Sequence, residues 1–200
     1  MTSLLSPPAA VRAASDLAAT ALVAVRPEQL TAPTPCGDYD VRALVDHLAW
    51  AALLSQRSAT GMPLEQDGAS LRPAPFLDGV PVEQWAAAVP VELDTAADAW
   101  ADRAAWQGET LLGTTPMPAG VVGPLMLAEF ALHGWDLARA IGARYDVPAG
   151  LGEAVLAAVE PLAPMGRDGG WYGPAVPVPA DAPAFDRALG LAGRDPGWRA

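Results

Sequence analysis

Apolar residues recur at three- and four-residue intervals in five stretches of the chain, each long enough for a helix. In the first, about residues 9–25, Val11, Leu17, Ala18, Ala21, Leu22 and Val25 recur with helical spacing and no internal Pro or Gly. A turn over 31–37 (TAPTPCG) leads to Asp38, a residue suited to cap a helix over about 39–59. Val41, Leu44, Val45, Leu48, Ala51 and Leu54 form the buried stripe of that second helix. Residues 61–81 are rich in Pro, Gly and isolated charges and read as a long irregular crossover, followed by a short helix over 82–89. The spacing predicts a third main helix over 94–112, carrying Trp100 and Trp106 with Asp94 or Thr95 as its cap. The fourth, 121–141, is the most apolar and stops at Gly142. A fifth spans 151–162, a Pro/Gly-rich stretch covers 164–183, and a terminal helix spans 184–191. No strand-turn-strand pattern stands out, although PAVPVPA could pair as a short extended piece. The expected architecture is one all-α domain over 1–200, a bundle of four main helices with a long crossover. Its core covers about 9–162 and a C-terminal extension about 163–200.

Two of the polar exceptions to this pattern are the chain's only histidines. His47 lies beside the buried stripe of the second helix. His133 lies in LMLAEFALHGWDLARAIG, a segment so apolar that most of its circumference must be covered. Glu129 stands four residues before His133, on the same helix face. A buried carboxylate is costly unless it is paired or coordinates a metal. Two His and one Glu are the protein ligands of several catalytic zinc sites, which leave a further position for water or substrate. The spacing is served equally well by an ion pair between Glu129 and His133, with His47 a satisfied core histidine.

Around these three, other residues are open to two readings. Asp136, one turn beyond His133, could accept the ring N–H of a metal-bound imidazole or pair with Arg139 or Arg103. Asp46 points elsewhere on the helix than His47 and is expected in solvent. Cys36 precedes His47 by eleven residues, roughly 16 Å along a helix. That distance favours a small buried contact in the turn over a ligand or nucleophile. The tryptophans, Trp135 among them, read as packing against neighbouring helices.

Composition narrows the partners. The chain carries a net charge of -11 with no basic cluster, and its pI is about 4.4, which argues against nucleic acids and anionic membranes. No apolar run reaches the roughly 18 residues of a membrane span. The start, MTSLLSPPAAVRAASDL, lacks the basic and apolar regions of a signal peptide, so the cytoplasm is expected. The single cysteine excludes an internal disulfide. All 12 Lys+Arg residues are arginine and asparagine is absent, the mark of a GC-rich genome.

Three segments resemble a known family. Residues 33–48 (PTPCGDYDVRALVDHL), 132–140 (LHGWDLARA) and 172–198 (YGPAVPVPADAPAFDRALGLAGRDPGW) resemble, in that order, the DinB-like metal-binding family related to mycothiol-dependent maleylpyruvate isomerase. The last of these segments is similar to the tail of the short actinobacterial members. The resemblance implies a four-helix bundle with one divalent metal held by His47, Glu129 and His133. It also implies a low-molecular-weight thiol, mycothiol in an actinobacterium, as co-substrate at the open metal position. Tyr39 stands where the family usually has Trp, and Asp46 where Asn is commoner. The extra C-terminal domain of the full-length isomerase has no counterpart in these segments, so its share of a substrate site does not carry over.

Two classes of function fit these observations. One is a metal-dependent, thiol-assisted isomerase or S-transferase acting on small electrophiles. The other is a non-catalytic metal binder serving storage, sensing or partner binding. Zinc is the favoured ion, while nickel, iron and manganese also suit a His/His/Glu set. No residue with a separate catalytic role emerges, and neither the substrate nor the oligomeric state follows from the sequence.

Overall fold

A computed structural model describes residues 5–37, 39–64, 77 and 79–199. Its elements run in the order α1 (Pro7–Val23), α2 (Val41–Ala59), α3 (Val82–Ala99), β1 (Glu109–Leu112), β2 (Thr115–Pro118), α4 (Ala119–Ile141), α5 (Ala149–Asp168) and α6 (Ala184–Leu191). The fold is an all-α bundle with one small hairpin and a C-terminal wrap, as the sequence pattern predicts apart from the hairpin. Asp38 and most of the 61–81 crossover lie outside the described residues.

Helix α1 starts on Pro7 and Pro8, which suit a first turn because their missing N–H groups would have no partner there. It buries Ala10, Val11, Ala14, Ala18, Ala21 and Leu22 against α3 and α4. Helix α2 is capped by Asp40 rather than Asp38: the Asp40 carboxylate accepts from Ala43 N at 2.8 Å, and the helix begins two residues later than its pattern suggests. Asp46 is tied down as well. Its carboxylate accepts from Leu77 N at 2.5 Å, which fixes the far end of the crossover beside α2.

The largest departure from the sequence pattern lies between α3 and α4. Pro90 does not break the chain into two helices but sits inside one, Val82–Ala99. Proline forfeits one backbone hydrogen bond there, and burial of Trp85, Val89, Leu93, Ala96 and Ala97 offsets the loss. Asp94 and Thr95 are therefore interior residues. Asp94 and Asp98 both pair with Arg12 of α1, and Thr95 Oγ1 donates to Val91 O. The helical period breaks down after Ala99. Residues Arg103–Trp106 form a 3-10 turn, and β1 and β2 pair antiparallel about a two-residue Gly113-Thr114 turn. Trp106 Nε1 bonds to Trp100 O, and the buried Trp100 donates to Ser55 Oγ, so the two indoles close this end of the bundle.

Helix α4 is the central element and packs on α1, α2 and α5. It is buried around nearly its whole circumference and ends on Gly142 in the left-handed conformation, φ 70°. Gly134 lets α1 approach closely, since a Cβ there would lie 3.0 Å from Ala18 and 2.6 Å from Tyr145 Oη. Helix α5 continues through Pro161 and Pro164 to Asp168, six residues past its expected end. The PAVPVPA segment forms no strand, and its Val176 N bonds to Gly190 O. Helix α6 packs on α5, and the chain then returns to α4, where Arg139 donates to Trp198 O. No helix among the described residues is long and apolar enough to cross a membrane.

Candidate metal centre

The helical period of α2 places His47 toward α4, and the period of α4 places Glu129, His133 and Asp136 along one face toward α2. The structure brings His47, Glu129 and His133 to one point, with one potential ligand atom from each within 4.8 Å of the others. Glu129 Oε1 lies 2.5 Å from His47 Nε2 and 3.5 Å from His133 Nε2. The two imidazoles meet edge to face with centroids 4.7 Å apart. Both are buried, while the Glu129 side chain keeps 21% exposure, so the cluster opens to solvent on the carboxylate side.

Each ring is held from behind. His133 Nδ1 lies 3.0 Å from Asp136 Oδ2, and Asp136 is fully buried. His47 stacks on Tyr39 at 5.0 Å, with Tyr39 Oη 3.4 Å from His47 Nδ1, and Trp50 flanks the other side at 5.4 Å. The arginine that pairs with Asp136 is neither Arg139 nor Arg103. Arg194, from the tail after α6, lies 3.1 Å from Asp136 Oδ2. Arg139 instead lies over Trp135 and bonds to Trp198 O, and Arg103 is exposed in its 3-10 turn. Arg194 gave no sequence signal, because an arginine in a Gly-rich tail reads as surface charge.

Cys36 is much closer to the site than its separation from His47 suggests. The segment before α2 doubles back: Pro33 bridges Asp40, Val41 N bonds to Ala32 O, and Thr34 Oγ1 lies 2.9 and 2.8 Å from the carbonyls of Cys36 and Tyr39. A rise of 1.5 Å per residue therefore does not apply. Cys36 offers its sulfur within 4.8 Å of potential ligand atoms of His133 and Asp136.

The electrostatics are those of a compact charged cluster. Burial alone would raise the Glu129 carboxyl, but the charges of His133 and His47, the His47 hydrogen bond and Arg194 outweigh it and hold the group down at about 2. Burial likewise opposes ionisation of Asp136. Arg194 and His133 overcome it and lower its pKa. The Arg194 guanidinium, which burial would discharge, is held charged chiefly by Asp136.

This geometry suits a cation shared by the rings and the carboxylate. With its Nδ1 proton given to Asp136, a neutral His133 turns an Nε2 lone pair toward the Glu129 carboxylate. Two lone-pair-bearing groups face each other favourably only across a positive charge, either a second proton on the ring or a metal ion. Glu129 and Asp136 set two negative charges against the one positive charge of Arg194, which also suits a bound cation. The residues fit a divalent metal.

Residues 11–138 match the family described as Mycothiol maleylpyruvate isomerase N-terminal domain. The chain belongs to this family. Its similar proteins include two uncharacterized proteins of Mycobacterium tuberculosis, from strains CDC 1551 and H37Rv. Each is 29% identical over 191 residues, covering 90% of this chain and 93% of the relative. The solved structure of mycothiol-dependent maleylpyruvate isomerase matches with a TM-score of 0.56 at 17% identity, over 80% of this chain and 71% of that one. At that identity the likeness is one of fold. Membership of the family agrees with the resemblance carried by the 33–48 segment and most of 132–140, while 172–198 lies beyond the matched residues.

Proposed function

We propose that His47, Glu129 and His133 hold one divalent metal ion, zinc by preference, and that the protein is a cytoplasmic thiol-dependent isomerase or S-transferase. Its co-substrate would be a small thiol such as mycothiol, and its other substrate a small electrophile. The observation that carries this reading is the convergence of two buried imidazoles, through their Nε2 atoms, on one oxygen of the partly exposed Glu129 carboxylate. When bound, a divalent ion would favour the deprotonated form of a thiol or water at neutral pH.

The chain's own groups would do the rest. Asp136 would hold the Nδ1 proton of His133 and so keep Nε2 free to coordinate. Tyr39, stacked on His47, and the tilted Trp50 ring beside it would restrain the plane of the imidazole. Glu129 faces the solvent-accessible side, where a thiol and an electrophile would arrive. Once a divalent ion is added, the two carboxylates and Arg194 leave one positive charge, which an anionic sulfur would neutralise. Membership of a family named for a mycothiol-dependent reaction supports the same choice of thiol.

Elemental analysis of protein purified without an affinity tag or chelator tests the reading. About one equivalent of one metal is expected, and His47→Ala and His133→Ala should each lose it. Full metal content in both variants would place the ion elsewhere and overturn the assignment.

A further inference from the structure

Asp136 is not an isolated partner of His133. The oxygen that faces His133 Nδ1 at 3.0 Å also faces Arg194 Nη2 at 3.1 Å, and both acidic and basic side chains are almost wholly removed from solvent. The guanidinium reaches this position from the far end of the chain and is held by the tail itself. Arg194 Nη1 donates to Ala192 O, Arg194 N donates to Leu189 O, and the following residues are anchored by Arg139 on Trp198 O. One face of Tyr172 lies 5.8 Å from the guanidinium carbon. A carboxylate can rotate about its Cβ–Cγ bond. With one oxygen fixed by a rigid, planar donor, that rotation is restrained and the oxygen stays in line with the imidazole.

We propose that Arg194 is a positioning residue for the metal centre: it fixes Asp136, which fixes His133, so the C-terminal tail helps set the affinity of the site for a divalent cation. This rests on the metal reading above. The partners that orient metal ligands typically govern roughly 10–100-fold in affinity. Arg194 stands one contact further out and touches His133 only through Asp136, although its charge also acts on Glu129. Its hold on the orientation of His133 should then matter only while Asp136 can hold the imidazole.

The test uses the full chain titrated with cobalt(II) and with zinc(II) against a competing chelator. Wild-type protein is measured first. If it binds neither ion, the metal reading fails, whatever Arg194 does. If it binds one, Arg194→Met should weaken affinity severalfold, up to roughly tenfold, and shift the cobalt absorption bands. In an Asp136→Asn background the same substitution should add little, because neighbours acting through one contact are non-additive. Wild-type affinity and an unshifted cobalt spectrum in Arg194→Met, with only a lower apo-protein melting temperature, would make Arg194 a structural tie and overturn the proposal. A full additional loss in the Asp136→Asn background would also overturn it. Should Arg194→Met not fold, Arg194→Lys carries the test. A single ammonium cannot span Asp136 Oδ2 and Ala192 O as the planar fork does, so weaker binding with shifted bands supports the proposal and wild-type values for both refute it.

Discussion

His47 and Glu129 stand 82 residues apart in sequence, yet His47 Nε2 and Glu129 Oε1 meet at 2.5 Å where α2 crosses α4. Neither helix has a reason to bury its polar residue alone. Each supplies what the other lacks, and His133 on the next turn of α4 completes a set that a cation would hold together. The metal is therefore expected to be a component of stability as well as of chemistry.

Chelation should lower the melting temperature, and added metal should restore it. A ligand that binds only the folded state stabilises it by about 2.7 kcal/mol at a hundred times its Kd. For a domain of this size that corresponds to roughly 5–10 °C. Scanning calorimetry before and after chelation, with metal content confirmed at each stage, reads the effect. A melting curve that does not move although the metal is gone would mean that the ion sits at the periphery.

Much of this arrangement was legible in the sequence, and the parts that were not share a cause. The stripes of α1, α2 and α4 follow from helical periodicity, and the same periodicity singles out Glu129, His133 and His47 as polar residues on apolar faces. Pro90 misleads because local propensity argues for a break, whereas burial of Trp85, Val89 and Leu93 holds the helix through it. The β1–β2 hairpin hides in a stretch whose Trp and Leu residues also fit a helix. Cys36 and Arg194 reach the site through a doubled-back turn and a returning tail. Such contacts leave no periodic trace in the chain.

Alkaline pH should destabilise the protein through its half-buried phenols, Tyr145 and Tyr172. Burial, followed by the charge of Glu129, pushes Tyr172 up to about 12, with Arg194 opposing. Tyr145 is raised as well, by burial and by Asp136. A phenol whose pKa is higher folded than unfolded keeps its proton in the native state after the unfolded chain has lost it. Its stabilising contribution is therefore complete below about pH 10 and declines between about 10 and 12. Denaturant titrations across that range should show stability falling with pH, less steeply in Tyr172→Phe. An identical slope in wild type and variant would remove Tyr172 as a source.

Gly134→Ala tests the close approach of α1 and α4. Its new methyl would stand 2.6 Å from Tyr145 Oη and 3.0 Å from Ala18, and the backbone on the α1 side has little room to yield. Overpacking of this kind typically costs about 1–3 kcal/mol, opposed by the better helix propensity of alanine, roughly 1 kcal/mol. Net destabilisation is expected in denaturant unfolding. Because Gly134 adjoins His133, metal affinity should fall with it. A variant as stable as wild type would show that the two helices can part without penalty.

The last prediction concerns turnover, and Cys36 is its control. The metal reading needs only His47, Glu129 and His133, so an ion held there would leave a small external thiol free to approach from the exposed side of Glu129. Metal-loaded protein should consume mycothiol together with an electrophile, or isomerise a cis-configured unsaturated acid in its presence. His47→Ala should abolish that activity. Cys36 groups with His133 and Asp136 as a second possible ligand set, so distance alone does not exclude a role for its sulfur. Cys36→Ala separates the two roles. If the external thiol is the reacting sulfur, the variant keeps one equivalent of metal and its thiol-dependent turnover. If Cys36 is itself a ligand, the variant loses metal, and external thiols fail to perturb the cobalt spectrum of wild-type protein. Absence of metal-dependent turnover across a panel of thiols and acceptors, with cobalt bands indifferent to thiol, would leave a metal-binding protein without catalysis as the better description.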